Sequence, residues 1–322
     1  MNRLAILSNA GSGRNQRKAA RLARLDGLSG VHQCVTNSAA QVPAALVELL
    51  REAPDLLVIN GGDGSVQEAL TVLHAMGRCA PAQALPPIAV LPAGSTNMIA
   101  GDLGCGGRFE RRLAEVLALR DRPRARWNVK TRSPLLVTDA AGVERLGFFF
   151  GMGTIVRGID YWHRSLAHGG GAGEWGAGAA LLRAAWGIAR REPPFAEPAH
   201  VRLEIDGGPP QARDLMFLLV TPMRRLFLGL TPFWGPGDGP LSLTWVDDRP
   251  RRFVRRVPAL LRGRAERLPE ADGFHGRRPA SVVVELDEAW VIDGEVVAAP
   301  GRLTLSAAPP MAFVHLAPEP GR

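Results

Sequence analysis

The sequence predicts an N-terminal α/β domain built on a parallel sheet, followed by an antiparallel, β-rich, sandwich-like domain. In the first 127 residues, short apolar runs lie far enough apart for a crossover helix between successive strands, as parallel pairing requires. Glycine-containing polar loops follow three of these runs. From residue 128 onward, apolar and polar residues alternate over short stretches, which is typical of antiparallel strands. The predicted domains are therefore 1–127 and 128–322, with the final strands at about 303–316 as candidates to return to the first domain.

The composition is that of an ordinary globular protein, with 46% hydrophobic and 22% charged residues. The N-terminal apolar run is too short for a signal peptide, and no run reaches the ~18 residues of a membrane-spanning helix, so we expect a cytoplasmic protein. Cys34, Cys79 and Cys105 lack CxxC spacing, so the sequence indicates neither a disulfide framework nor a zinc site. The net charge of +8 favours an anionic partner, whether nucleotide, nucleic acid or lipid head group.

The first two strands are predicted at 4–7 and 33–36. A glycine-rich turn over residues 8–15 follows the first strand and leads into a predicted helix at 16–24. Apolar residues at helical spacing over 42–50 predict the helix that follows the second strand. The first turn is not a Walker loop, because it lacks the Gly-Lys-Ser/Thr ending, and an ordinary strand-to-helix turn is an equal alternative.

The central prediction is a strand, a glycine turn and a helix over residues 56–73. Leu56 to Ile59 is an all-apolar run, and a helical stripe begins at Val66. Ser65 and Glu68 fit a capping box at the start of that helix. Such a turn exposes backbone N–H groups and the positive end of the helix dipole, which is typical of a phosphate site. The glycines would allow close approach of a phosphate and a positive φ.

Asp63 lies in this turn. Its carboxylate could hold Mg²⁺ or polarise a hydroxyl. The alternative is a tight turn in which Asp63 only accepts local backbone N–H bonds. A fourth strand at 88–91 runs into another polar loop at 92–97. Ligands of parallel sheets bind outside the carboxyl ends of the strands, so we expect the three loops to form one site.

The second half contains short predicted strands and one helical interruption. A hairpin-like pair is predicted at 135–138 and 146–150, and alternating stretches follow up to residue 306. The interruption, at about 173–191, is interpreted as a helix packed on the sheet rather than as a lipid contact. The arginine-rich segment from Arg251 to Arg267 fits either a membrane-surface helix or a solvated one. Asp293-Gly294 between apolar runs predicts a hairpin turn.

Three motifs resemble those of the diacylglycerol kinase catalytic domain, a family that includes sphingosine kinases and bacterial lipid kinases. Asn9-Ala10-Gly11-Ser12-Gly13 is similar to Asn-Pro-x-Ser-Gly, and the stretch from Gly61 to Glu68 is similar to Gly-Gly-Asp-Gly-Thr-x-Asn-Glu. The stretch from Pro92 to Met98 is similar to Pro-x-Gly-Thr-x-Asn-Asp, with Met98 in place of the acid. The resemblance implies a phosphofructokinase/NAD-kinase-like α/β domain that binds ATP. The residues it implicates are Asn9, Gly11, Ser12, Gly13, Thr36, Gly61, Gly62, Asp63, Gly64, Ser65, Glu68, Gly94, Ser95 and Asn97.

The resemblance further implies an ATP- and Mg²⁺-dependent kinase that phosphorylates a hydroxyl of a lipid such as diacylglycerol or a sphingoid base. Related bacterial kinases carry Asp-Gly-Glu where this chain has Asp293 to Glu295, which implies Glu295 as the base with Asp293 as partner and Asp63 as the rival base. The same relatives bind a cation in the loop that corresponds to Gly235, Asp238 and Pro240, where a plain turn is the alternative.

The expected partner is a lipid at a membrane surface, and Arg251 to Arg267 could bind its anionic head groups. We expect no nucleic-acid partner, and a homodimer is an open alternative. The expected location is cytoplasmic, peripheral to the inner membrane surface. Two alternatives stay open. One is an NAD kinase-like or other small-molecule kinase of the same superfamily. The other is a non-catalytic lipid-binding relative.

Overall fold

The computed structural model describes residues 1–12, 15, 28–79, 85–94, 96–159, 197–226 and 229–316. The chain forms two compact units, one of Met1–Ser133 with Pro309–Arg322 and one of Pro134–Ala308. The helices predicted at 16–24 and 173–191 fall outside the described residues. Within the described part of the chain, no helix is both long and apolar enough to cross a membrane.

The strands and helices are numbered in chain order. The strands are β1 (Leu4–Asn9), β2 (Val31–Thr36), β3 (Leu56–Gly61), β4 (Ile88–Pro92), β5 (Val129–Arg132), β6 (Leu135–Asp139), β7 (Glu144–Gly147), β8 (Phe150–Gly153), β9 (Ala199–Ile205), β10 (Gln211–Thr221), β11 (Ser242–Asp247), β12 (Phe274–Arg277), β13 (Ser281–Leu286), β14 (Trp290–Ile292), β15 (Glu295–Val297), β16 (Gly301–Ala307) and β17 (Met311–Val314). Within the described ranges, the α-helices with defined bounds are α1 (Val42–Arg51), α2 (Asp63–Cys79), α3 (Met98–Asp102), α4 (Phe109–Ala118) and α5 (Phe253–Leu260), and residues 154–159 are also helical.

The first unit is built on a six-stranded sheet in the order β2-β1-β3-β4-β17-β5. Strands β1 to β4 are parallel, and β17 pairs parallel with β4 and antiparallel with β5. All six residues of β3 are buried, which explains its continuous apolar run. The predicted stripe on α1 is buried from Val42 to Leu50. The predicted parallel α/β domain is therefore confirmed.

The start of α2 differs from the predicted capping box. The helix begins at Asp63, and the backbone N–H of Val66 donates to the carbonyl of Gly62 in the first turn. Ser65 is therefore already inside the helix, and its Oγ accepts a hydrogen bond from Asn9. The prediction that Ser65 caps the helix was wrong, because the helical turn starts directly from the glycine that follows β3.

The second unit is an antiparallel sheet of eleven strands, which confirms the predicted β-rich domain. Strand β10 changes partners along its length: its first half pairs with β9, and its second half pairs with both β8 and β11. Leu135 of β6 and Trp290 of β14 lie far apart in the strand order, yet both belong to one buried cluster. The sheet therefore curls around this cluster, and a second buried cluster includes Leu260 of α5 and Phe274 of β12. Strand β16 lies within this unit, whereas β17 lies in the first.

Candidate active site

The three glycine loops lie side by side at the carboxyl edge of the first sheet. Asn9 at the end of β1 is in register with Thr36 of β2, and Gly61 at the end of β3 is in register with Pro92 of β4. Asn9 Nδ2 donates to Ser65 Oγ at 2.8 Å, which joins the first loop to the start of α2. The structure therefore brings together the loops that the sequence placed at separate strand ends.

Buried polar side chains support the first loop from below. Asn9 Oδ1 accepts a hydrogen bond from the backbone N–H of Gly11 at 2.8 Å, which closes the turn. Asn15 Nδ2 donates to the carbonyl of Asn9 at 2.8 Å. Asn60, fully buried, donates through Nδ2 to Ser8 Oγ at 3.1 Å. Sequence reasoning missed Asn15 and Asn60. Their only signal was a polar residue at the end of an apolar strand or inside a loop.

Asp63 holds the third loop and the start of α3 against α2. Its Oδ2 accepts hydrogen bonds from Thr96 Oγ1 at 2.6 Å and from the backbone N–H of Met98 at 3.1 Å, and Oδ1 accepts one from Ile99 N–H at 3.0 Å. Two N–H groups at the first turn of α3 thus find an acceptor. Burial raises the pKa of the Asp63 carboxyl, while the three hydrogen bonds act in the opposite direction.

These contacts give Asp63 a structural role. The residue is only 7% exposed, and both of its side-chain oxygens accept hydrogen bonds. The alternative interpretation expected Asp63 to accept N–H groups of its own turn. It does accept backbone N–H groups, but these belong to Met98 and Ile99, more than 30 residues away. In the structure the carboxylate therefore clamps two loops together. Three of its roughly four acceptor positions are used for this, and its roles as an Mg²⁺ ligand and as a base stay predictions.

Asn97 closes the third loop. It adopts a left-handed backbone conformation with φ of 50°. Its Oδ1 accepts the N–H of Gly94 at 2.7 Å, and its Nδ2 donates to the carbonyl of Gly94 at 2.9 Å. The side chain of Asn97 is therefore used to shape the turn, as an Asx residue commonly is. Thr96, which the sequence did not single out, links the same turn to the second loop through Asp63.

The glycines serve close packing rather than unusual backbone angles. A Cβ on Gly94 would lie 2.5 Å from the Cα of Gly62, and a Cβ on Gly61 would lie 2.4 Å from the Cβ of Ser65. None of the loop glycines at 11, 61, 62, 64 and 94 has a positive φ, so the backbone freedom that glycine allows is not used there. The second and third loops therefore touch backbone to backbone, which only glycine permits.

Gly64 is different from its neighbours. It is exposed in the first turn of α2, and a Cβ added to it would meet no atom within 4 Å. The first N–H groups of any α-helix have no partner within the helix and carry its positive dipole end. Open space above such a turn is what an incoming phosphate group needs.

The other residues predicted to bind ATP differ in burial and in their hydrogen-bond partners. Thr36 is buried, and its Oγ1 donates to the Ser8 carbonyl at 3.4 Å, so its side chain serves the strand pair. Ser12 Oγ donates to the Ala93 carbonyl at 3.2 Å and links the first loop to the third. Glu68 lies half-buried one turn into α2. Gly13 and Ser95 lie outside the described residues.

In the second unit, Asp293 and Gly294 form the two-residue turn between β14 and β15. Both have positive φ, 48° and 91°, and Ile292 pairs with Glu295 across them, as in a type I′ hairpin. The Asp293 carboxylate is buried and accepts the backbone N–H groups of Phe148 and Phe149 at 2.8 to 3.0 Å. Glu295 is exposed. The two acids therefore differ: Asp293 anchors the hairpin, and Glu295 is available at its surface.

The loop predicted to bind a cation packs against residues 276–279. The carbonyl of Pro236 accepts the N–H of Arg278 at 2.8 Å, and the N–H of Gly239 donates back to Arg278 at 2.9 Å. Gly235 and Gly237 have φ of 99° and 113°, so these positions need glycine. Asp238 is exposed. A cation at Gly235, Asp238 and Pro240 stays a prediction.

Residues 3–125 match the family model of the diacylglycerol kinase catalytic domain, which confirms the resemblance over the span that carries all three loops. A crystal structure described as a diacylglycerol kinase from Bacillus anthracis str. Sterne superposes with a TM-score of 0.58 at 13% identity, covering 97% of this chain and 96% of that chain. A second structure from that organism, provisionally described in the same way, gives 0.62 at 14%, covering 98% and 94%. At such identity the likeness concerns the fold of both units. No curated protein sequence matches significantly.

Proposed function

We propose that this chain, a kinase whose residues 3–125 carry a diacylglycerol kinase catalytic domain, transfers the γ-phosphate of ATP to a hydroxyl of a lipid such as diacylglycerol or a sphingoid base. The observation that carries the proposal is the meeting of three glycine loops around the first turn of α2. That turn is open at Gly64 and closely packed at Gly61 and Gly62. Phosphoryl transfer needs mainly positioning and charge neutralisation, and such a rigid cradle provides the positioning.

The phosphates of ATP are proposed to bind the N–H groups at the start of α2. The helix dipole favours negative charge there, by about 0.3–1 kcal/mol at an exposed site. Asn9 and Asn97 hold the flanking loops in place through their side-chain amides. In this proposal Asp63 is a positioning residue: it fixes the third loop relative to α2 and does not touch the reacting atoms.

Mg²⁺ is proposed to arrive with ATP and to neutralise the charge of its phosphates. Mg²⁺ keeps several waters and is commonly bound through phosphates with only one or two carboxylates. In this proposal Asp63 is not one of those carboxylates, because three of its roughly four acceptor positions already hold hydrogen bonds. Asp238 is exposed and has the right chemistry, although the loop that carries it provides no second acid.

Glu295 is proposed as the base that accepts the proton of the lipid hydroxyl. Asp293, the other acid of the turn, is buried and accepts two backbone N–H groups, so it is not available for this role. Glu295 is exposed on the adjoining strand position. A carboxylate within hydrogen-bond reach of a hydroxyl typically contributes 10² to 10⁴-fold to the rate.

The acceptor is proposed to be a lipid because the second unit presents a basic, partly apolar surface on α5. Arg252 and Arg255 are exposed, and Val254 is 63% exposed beside them. Anionic membranes attract such segments by about 1 kcal/mol per basic residue. Arg256 does not belong to this surface, because it pairs with Asp272. Peripheral binding to an anionic membrane would bring the kinase to its substrate.

The test is phosphoryl transfer by the purified full-length protein with γ-labelled ATP and Mg²⁺. Diacylglycerol, a sphingoid base and ceramide are offered in mixed micelles, and NAD is offered as a non-lipid acceptor. The proposal expects label in one of the lipids, separated by thin-layer chromatography. Label in NAD alone would favour the NAD kinase-like alternative, and ATP binding with no transfer would favour a non-catalytic lipid-binding protein.

A further inference from the structure

A cluster of three metal-binding side chains lies on the first sheet, away from the glycine loops. His32, Cys34 and Glu48 each offer a donor atom, and these atoms lie within 4.8 Å of one another. His32 and Cys34 are two residues apart on β2, so they point to the same face of the sheet. Glu48 comes from α1, which packs on that strand. Nitrogen, sulfur and oxygen donors from two elements therefore meet at one point.

The spacing suits a small tetrahedral ion. Zinc bonds of about 2.0–2.3 Å place neighbouring donors about 3.4–3.6 Å apart. His32 Nε2 already lies 3.4 Å from a Glu48 oxygen, and the remaining distances are within about an ångström of this range. The side chains of His32 and Glu48 are 36% and 57% exposed, so an ion in solution can reach them.

The donor set indicates which ion. Mg²⁺ and Ca²⁺ prefer oxygen ligands alone, whereas Zn²⁺ readily takes imidazole, thiolate and carboxylate together. Three protein donors leave the fourth tetrahedral position for a water molecule. The sequence pattern had indicated no zinc site because CxxC spacing is absent. A search for CxxC spacing does not detect a His-x-Cys pair on an edge strand whose third ligand, Glu48, comes from a helix.

We propose that His32, Cys34 and Glu48 bind one Zn²⁺ ion that ties the edge strand β2 to α1. The site lies two residues before Thr36, whose carbonyl accepts the N–H of Ala10 in the first glycine loop at 2.9 Å. A bound ion would therefore stiffen the outer side of the loop edge. The inference does not depend on the proposed kinase activity.

Without an ion, Glu48 lies 3.4 Å from His32 Nε2 and is hydrogen-bonded to the Cys34 thiol. In that state the pKa of the Cys34 thiol is raised to about 11, mainly by burial and secondarily by the neighbouring Glu48 carboxylate. The experiment must therefore detect coordination by sulfur and not merely proximity. Cys79, which is exposed and outside the cluster, offers a matched control.

Co²⁺ is the probe, titrated into the full-length protein after chelator treatment and dialysis. The expected result is a thiolate-to-cobalt charge-transfer band that saturates at one ion per chain and disappears when Zn²⁺ is added. Cys34→Ser should abolish this band, and Cys79→Ser should leave it unchanged. Glu48→Gln keeps the sulfur ligand, so it should keep the band while weakening Co²⁺ binding at least tenfold.

The proposal is overturned if the wild-type protein shows no such band, or if the band survives in Cys34→Ser. A second measurement covers the case in which Cys34→Ser fails to fold. One equivalent of Zn²⁺ should slow alkylation of Cys34 at least tenfold in the wild-type protein, while Cys79 is modified at an unchanged rate. Equal protection of both cysteines, or of neither, would also overturn it.

Discussion

Replacing Asp63 by Asn tests whether this side chain is a clamp or a chemical group. The substitution keeps the shape of the side chain and one acceptor oxygen, but it turns the other oxygen into an amide that only donates. If the remaining oxygen faces Ile99, the amide faces the N–H of Met98, and if it is reversed, Ile99 loses its acceptor. In either orientation one buried backbone N–H is left without a partner.

The magnitude follows from that count. A buried donor left without an acceptor costs about 1–3 kcal/mol, and the hydroxyl of Thr96 can turn to accept from the new amide. We therefore expect Asp63→Asn to lower the free energy of unfolding by about 2 kcal/mol. For a unit of this size, that corresponds to a fall in Tm of about 4–8 °C.

The assay is thermal unfolding followed by circular dichroism, together with the KM for ATP. Asp121→Asn is the control, since Asp121 makes only a loose surface pair with Arg120 at 3.5 Å and should change stability by less than about 0.5 kcal/mol. Asp63→Asn should raise the KM for ATP because the third loop loosens. An Asp63→Asn protein with wild-type Tm and no turnover would refute the clamp and make Asp63 the base.

Three further predictions concern the second unit. Glu295→Gln should lower kcat for the preferred acceptor by about 10² to 10⁴-fold with little change in the KM for ATP, and near-normal kcat would remove Glu295 from the chemistry. Asp293→Asn should lower Tm by a few degrees in thermal unfolding, because a buried N–H loses its acceptor, and an unchanged Tm would contradict the anchor. Reversing Arg252 and Arg255 to Glu should weaken sedimentation with anionic vesicles by at least about 30-fold at low salt, since the loss of the two positive charges alone removes about 2 kcal/mol. Arg256 must be left intact, because it is paired with Asp272. Binding that is unchanged and indifferent to salt would leave α5 a solvated surface helix.

The strands and the site edge of the first unit could be predicted from the sequence because their signals are local. A continuous apolar run such as Leu56 to Ile59, bounded by turn residues, suits a strand buried on both faces. The loops at the strand ends then follow from the rule that ligands of parallel sheets bind at the carboxyl edge. Gly62 and Gly94 were placed at this edge on that ground, whereas the backbone contact between them is tertiary and could not be predicted.

The role of Asp63 could not be predicted in the same way. Its partners lie at Thr96, Met98 and Ile99, more than 30 residues away, and no periodicity reports a hydrogen bond across that distance. A motif shows that a carboxylate is present, and only the packing shows that its oxygens are occupied. The same limit applies to Asp293 and Glu295, because the sequence does not show how two acids so close together differ in their contacts. In the structure, the backbone N–H groups of residues 148 and 149 donate to Asp293.

The most direct test of the account compares Gly64→Ala with Gly77→Ala. Both positions lie on α2, and an added Cβ has room at each: at Gly64 it meets nothing within 4 Å, and at Gly77 only Leu85 at 3.9 Å. Both variants should therefore fold, with a stability gain of up to about 1 kcal/mol from helix propensity. At Gly64 alone the new methyl group occupies the space proposed for the phosphates of ATP.

The measurement is the KM for ATP in lipid phosphorylation by the two variants and the wild-type protein. The account predicts a rise of at least about tenfold in Gly64→Ala, the equivalent of 1.4 kcal/mol of binding, and no change in Gly77→Ala. If both variants bind ATP like the wild-type protein and phosphorylate lipid at the same rate, the phosphates do not bind at the start of α2. That result would contradict the central claim.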